Sequence, residues 1–159
     1  MVILGLDPGT ADTGFGLIKC DKKGVQLVYY GSIKTSARES SPKRLEIIYR
    51  KVLALLRKYN PEVMVLESLF FNSNAKSAVA VGQAMGVLKL AAARRKIKVV
   101  DYPPLKIKMI LTGRGRAGKQ KIQERVKSLL KLRTIPRPTH AADALAVALC
   151  HWKEVRKNG

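Results

Sequence analysis

The sequence predicts an α/β fold in which a mixed five-stranded sheet carries helices on both faces. Three observations predict it. Three β-like runs joined by tight turns open the chain, two further short apolar runs each follow a helical pattern, and three helical patterns close it. Tight turns join antiparallel strands and helical crossovers join parallel ones, so the sheet must contain both kinds of pairing.

The first strand is read at 2–7, where Val2, Ile3, Leu4 and Leu6 form a run apolar enough for burial on both faces, stopped by Pro8 and Gly9 just after Asp7. Strands at 14–20 and 25–34 follow, separated by the turn Asp21-Lys22-Lys23-Gly24. A helix is expected from Pro42 to Tyr59, with Ser41 as N-cap, Pro42 at the first helical position, and Leu45, Ile48, Val52, Leu55 and Leu56 on one stripe. The short apolar run Val63 to Leu66 then ends in Glu67 much as the first ends in Asp7. A loop at 68–74 leads to an alanine-rich helix from Ala75 to about Arg95. Its Gly82 and Gly86 lie four residues apart, a spacing that suits close packing on a second helix or on a strand of the same chain. Ile97 to Val100 form the last strand, ending in Asp101. Short helices from Pro104 and from Lys119 to Leu130 flank the turn 113–118, and Thr139 is expected to cap a final helix running to about Glu154.

At 159 residues and 47% hydrophobic, the chain fits one compact domain over 1–156 with a short tail at 157–159. The absence of a basic, apolar leader or of a membrane-length apolar run makes a cytoplasmic protein without membrane attachment the expectation. Cys20 and Cys150 sit in apolar segments without metal-type spacing and are read as buried free thiols.

Charge carries the functional information. The chain has 31 Lys and Arg against 11 Asp and Glu, a formal +20. Such an excess attracts polyanions, nucleic acid first among them. From Leu105 to Arg137 there are eleven basic residues and one acid, Glu124, which marks this segment as the candidate phosphate-binding face.

With so few acids each can be judged. Asp12, Asp21, Glu39, Glu46, Glu62, Glu124 and Glu154 fall in turns or on polar helix faces and need only solvent or a lysine. Asp101 alone reads as a turn former. Asp7 and Glu67 end apolar strands that the topology sets side by side, and His140 and Asp143, three apart at the start of a helix, share one face. Three carboxylates converge without prohibitive repulsion only around a cation, and an oxygen-rich set of this kind suits Mg²⁺ or Mn²⁺. A pair of such ions is the usual device for displacement at phosphorus, so phosphodiester hydrolysis is the leading chemistry. No Ser/His/Asp or Cys/His arrangement competes, and the turn at 113–118 lacks the Lys-Ser/Thr ending of a phosphate-binding loop.

The motifs GLDPGT at 5–10, TGFG at 13–16, VLESLFFNSNAKSA at 65–78, GQAMGV at 82–87 and HAADALAVA at 140–148, in this order and spacing, resemble the RuvC Holliday junction resolvases of the ribonuclease H-like superfamily over essentially the whole chain. The resemblance implies a ribonuclease H-like fold and a crossover junction endodeoxyribonuclease that acts in recombination and DNA repair. Asp7, Glu67, His140 and Asp143 would be the catalytic and metal-binding residues. Position 140 is aspartate in many relatives and histidine in others, and imidazole accepts Mn²⁺ more readily than Mg²⁺. Phe70 matches an aromatic residue that stacks on unpaired bases, and Lys108 and Lys119 match basic positions near the cleavage site. Arg114 and Arg116 join the DNA-binding set from the charge run. Also implied are two metal ions per site, a homodimer formed through the helix of Gly82 and Gly86, four-way junction DNA as substrate, and a branch-migration complex of the RuvA and RuvB type as partner. Two rivals stand beside this reading. GLDPGT also resembles the phosphate loop of actin-like ATPases, although those proteins need a second such domain; and a catalytically idle junction-binding protein would share the fold.

Overall fold

A computed structural model of the chain describes residues 1–68 and 74–159. The elements are β1 (Val2–Asp7), β2 (Asp12–Cys20), β3 (Val25–Lys34), α1 (Ser41–Tyr59), β4 (Val63–Glu67), α2 (Ala75–Arg94), β5 (Lys98–Tyr102), α3 (Pro104–Thr112), α4 (Lys119–Leu129) and α5 (Thr139–Asn158). They build one five-stranded sheet in the order β3-β2-β1-β4-β5. The hairpin strands pair antiparallel, and β1–β4 and β4–β5 pair parallel.

Strand alternation divides the core into two layers. Leu4 and Leu6 of β1, Leu17 of β2, and Met64 and Leu66 of β4 pack beneath α1 and α2, against Ile48, Val52, Leu56, Met85 and Leu88. On the opposite face Ile3, Ile18, Val63 and Val65 pack against α3, α4 and α5 through Ile107, Ile122, Val126 and Leu145. The same alternation turns Gly5 and Asp7 of β1 and Glu67 of β4 toward the α5 side.

That side is shaped by glycine. A Cβ on Gly5 would lie 2.1 Å from the Ala144 carbonyl oxygen, one on Gly16 would lie 2.6 Å from Leu145 Cδ2, and one on Gly14 would lie 1.9 Å from the His140 carbonyl oxygen. Gly5 pairs with Gly16, and Asp7 with Gly14, across the β1–β2 ladder. The three glycines therefore form one trench, and α5 lies in it with its buried alanines Ala141, Ala144 and Ala148. Glycine inside a strand weakens it, and here the gain is the close approach of another backbone.

Several boundaries differ from expectation for identifiable reasons. β2 begins at Asp12 rather than 14, because Asp12 and Thr13 pair with Lys34 and Ile33. Asp12 thus heads a strand instead of lying in a solvated turn, and its Oδ1 is buried without a hydrogen-bond partner among the described residues. Ser40, not Ser41, caps α1: its backbone is extended and its hydroxyl accepts from the Lys43 amide at 3.4 Å, while Ser41 is already helical. Thr139 is the first residue of α5 rather than its cap, because Pro138 holds the extended conformation that precedes a helix. α5 continues past Glu154 to Asn158: no breaker intervenes, Arg156 lies over the Trp152 ring at 5.6 Å, and Arg156 and Lys157 suit the negative end of a helix. β5 extends through Tyr102, which places Asp101 within the strand, where it pairs with Lys89 at 2.6 Å. Cys20 and Cys150 are buried free thiols; burial pushes both thiol pKa values up, that of Cys150 to about 12.

Gly14→Ala forces its methyl group into the α5 backbone and should destabilise the chain by about 1–3 kcal/mol, the usual range for overpacking. Gly24→Ala, which meets nothing within 4 Å, should leave the midpoint of urea unfolding almost unchanged.

Candidate active site

Four elements converge at one end of the sheet. Leu6 pairs with Leu66 in the parallel β1–β4 register, so one further step sets Asp7 beside Glu67 at adjacent strand ends. The segment after Asp7 is tied down by its own polar groups. The Thr13 hydroxyl donates to the Gly9 carbonyl at 2.6 Å, the Thr35 hydroxyl donates to the Thr10 carbonyl, and Arg44 Nε holds the Thr35 hydroxyl at 2.8 Å. The first turn of α5, seated on Gly14, brings His140 and Asp143 over the same point.

His140 Nδ1 lies 2.8 Å from Asp7 Oδ2. One ligand-type atom from each of Asp7, His140 and Asp143 falls within 4.8 Å of the others, a group that could hold a metal ion. Glu67 stands outside this close trio but inside its electric field. It lines a recess of about 260 Å³ together with Lys108, Lys119 and Asp143, walled by Pro104 and Ile107. Lys119 Nζ reaches Asp143 Oδ2 at 3.1 Å.

The electrostatics are those of a site that wants a cation. Burial raises the Asp7 carboxyl above its ordinary range, the hydrogen bond from His140 opposes this, and the charge of Asp143 adds to it. Burial also raises Glu67, the negative charges of Asp7 and Asp143 push it further, and Lys108 and Lys119 partly compensate. Carboxylates desolvated beside one another, with an imidazole among them, form a donor set suited to a hard or borderline divalent ion.

Of the residues singled out in the sequence, Asp7, Glu67, His140, Asp143, Lys108 and Lys119 meet here. Arg114 and Arg116 do not line the recess: both are exposed on the turn between α3 and α4, which is pinned by buried Ala117 and by the left-handed Gly113 at φ 75°. Phe70 lies outside the described residues. Gly5, Gly14 and Gly16 escaped the sequence reading as site-forming residues; their signal was glycine recurring within strands opposite an alanine-rich helix.

A sheet of this order, with acids at the ends of its central parallel pair and at the start of the closing helix, defines a ribonuclease H-like fold. The chain belongs to the RuvC family: the model of crossover junction endodeoxyribonuclease RuvC matches residues 3–151. The crossover junction endodeoxyribonuclease RuvC of Halothermothrix orenii is 45% identical over 158 residues, covering 99% of this chain and 96% of that one. Thermus thermophilus RuvC superposes with a TM-score of 0.93 at 35% identity, over 99% of this chain and 97% of that one. T. thermophilus RuvC in complex with Holliday junction substrate matches with a TM-score of 0.91 at 32% identity, over 99% and 96%. No helix among the described residues is long and apolar enough to cross a membrane.

The raised carboxyls set a pH signature for the metal-free chain. A carboxyl whose folded pKa lies above its unfolded value costs stability while ionised; that cost begins to shrink as the pH falls through the raised value and is gone below the unfolded one. Asp7→Asn should therefore melt higher than the parent chain at pH 7 in chelator. The difference should shrink as the pH drops toward the ordinary carboxylate range, as followed by thermal melts across pH.

Proposed function

We propose that this chain cuts four-way DNA junctions by metal-dependent phosphodiester hydrolysis, as a Holliday junction resolvase serving recombination and repair. The observation that carries the reading is the convergence of Asp7, His140 and Asp143 within 4.8 Å, with Glu67 beside them and two lysines at the rim. Family membership and the likeness to a RuvC bound to junction DNA support it.

Asp7, Glu67, His140 and Asp143 would hold Mg²⁺ or Mn²⁺, in all two ions per site. When bound, such a pair supplies activation of water and stabilisation of the leaving oxygen in an in-line displacement. The chain's own groups do the rest. His140, held by Asp7, presents a fixed ring to the site. Lys108 and Lys119 draw the scissile phosphate against the carboxylates and offset its charge. Phe70 stacks on bases exposed at the junction, and Arg114 and Arg116 contact backbone phosphates beyond the recess. The products carry a 5′-phosphate and a 3′-hydroxyl, which a ligase can seal.

Two cuts of like polarity call for two copies related by a two-fold axis. The outer face of α2 supports a homodimer: Val79, Gly86 and Leu90 are exposed at helical spacing, and a Cβ on Gly86 would meet nothing within 4 Å among the described residues. A RuvA/RuvB-type complex is the partner that would deliver junctions.

The ion pair between Lys119 and Asp143 gives Lys119 a second duty as counter-cation of the DNA-free site. Lys119→Gln should bind Mn²⁺ about two- to five-fold more tightly without DNA, in line with the small energy of an exposed pair, while binding junction more weakly. Calorimetric Mn²⁺ titration measures the first and gel shift the second. The central test is Asp7→Asn on a synthetic four-way junction with Mg²⁺ or Mn²⁺. Symmetric nicks should appear with the parent chain and fall by about three orders of magnitude in the variant, the scale of losing several kcal/mol of charge stabilisation. A parent chain that binds without nicking, or a variant that cuts equally well, refutes the mechanism.

A further inference from the structure

A second basic concavity lies beside α3, α4 and α5, apart from the catalytic recess. It encloses about 720 Å³ and is lined by Thr112 and neighbouring residues of α3, by Lys121, Glu124, Arg125 and Ser128 on one face of α4, and by Lys153 of α5. Three cations, the Ser128 hydroxyl and one acid meet there, while the Thr112 hydroxyl is engaged with the Lys108 and Arg114 carbonyls at 2.8 and 3.0 Å. None of the three cations makes an ion pair within 4 Å among the described residues, and neither does Glu124.

The arrangement is partly preorganised. Arg125 Nε donates to the Leu111 carbonyl at 3.0 Å, which fixes the guanidinium in the wall and leaves its terminal N–H groups without a hydrogen-bond partner among the described residues. Lys153 is half-buried, and burial together with the charge of Arg125 lowers its pKa. Like charges gathered in a partly desolvated recess repel one another unless an anion joins them. Fixed N–H donors, ammonium groups and the Ser128 hydroxyl together match the several oxygens of a phosphate.

We propose that this recess is a non-catalytic phosphate site which, on the reading of the chain as a junction nuclease, holds the backbone of the bound DNA arm away from the scissile bond. Continuity with the catalytic recess favours the backbone as the phosphate source. Both recesses are walled by α3, α4 and α5, and Lys119 of one and Arg125 of the other lie on the same helix, about 9 Å apart along its axis. A DNA strand carries a phosphate at every nucleotide, so one strand can serve both. Lys153 comes from outside the basic run of 105–137, so the sequence alone did not join it to Lys121 and Arg125.

The test uses the full chain and the double variant Lys121→Gln/Lys153→Gln, which keeps the Arg125 hydrogen bond to the backbone. Lys22→Gln/Lys23→Gln, on the β2–β3 turn, controls for loss of charge alone. Junction affinity is measured against NaCl concentration, and pyrophosphate binding is measured by calorimetry without DNA. The slope of log affinity on log salt should become shallower by about one for each phosphate that is no longer neutralised, in the recess variant and not in the control. Pyrophosphate binding should weaken in the recess variant alone. Weaker pyrophosphate binding with an unchanged salt slope keeps the phosphate site and assigns it to a free phosphate ester. Equal slopes in both variants together with equal pyrophosphate affinities overturn the proposal. A parent chain that binds pyrophosphate in the recess yet neither binds nor cuts junction overturns the nuclease reading and leaves the phosphate site standing.

Discussion

The structure depends on how closely α5 lies against the β1–β2 ladder. Gly5 and Gly14 let the α5 backbone approach the ladder directly, Gly16 makes room for the Leu145 side chain, and small alanines line the helix on the other side. The helix then lies at a distance no Cβ on these strands would permit. Cores are close-packed and respond to a single methyl group, so the helix has one seat along this trench. Because His140 and Asp143 occupy the first turn of that helix, the seat also fixes the site. Stability and the placement of these two side chains are therefore set by the same contact.

Charge is arranged in opposition to this rigidity. The net +20 surrounds a small knot of acids that burial and mutual repulsion leave in an unfavourable state. His140 and Lys119 relieve part of the strain through Asp7 and Asp143. What remains is an electrostatic demand for a divalent cation, set inside a field that demands a polyanion. A phosphodiester brought together with metal ions answers both demands, and neither alone does.

Much of this was legible in the chain. The order of elements, the sheet of mixed pairing and the acids at the ends of Val2–Asp7 and Val63–Glu67 follow from apolar runs and turn residues, which are local signals. The cap at Ser40 and the helical start at Thr139 were displaced by one residue, since adjacent serines compete for a cap and a proline sets the backbone ahead of a threonine. The trench was invisible for another reason. A glycine in a strand announces only that something comes close, and which backbone arrives is decided by contacts more than a hundred residues away. Lys153 was missed on the same ground: it joins Lys121 and Arg125 only because α5 packs against α4.

The parallel register of β1 and β4 has one more consequence. Neighbouring strands in a sheet keep a spacing of about 4.8 Å, imposed by the backbone hydrogen bonds and independent of what the side chains do. Asp7 and Glu67 are rooted on adjacent strands at the same level, so their attachment points are separated by that repeat. The sheet thus acts as a ruler that fixes how far apart two carboxylates from distant parts of the chain are rooted. A helix, with rotatable stems projecting from a curved surface, offers no comparable fixed unit for opposing two carboxylates from distant parts of a chain.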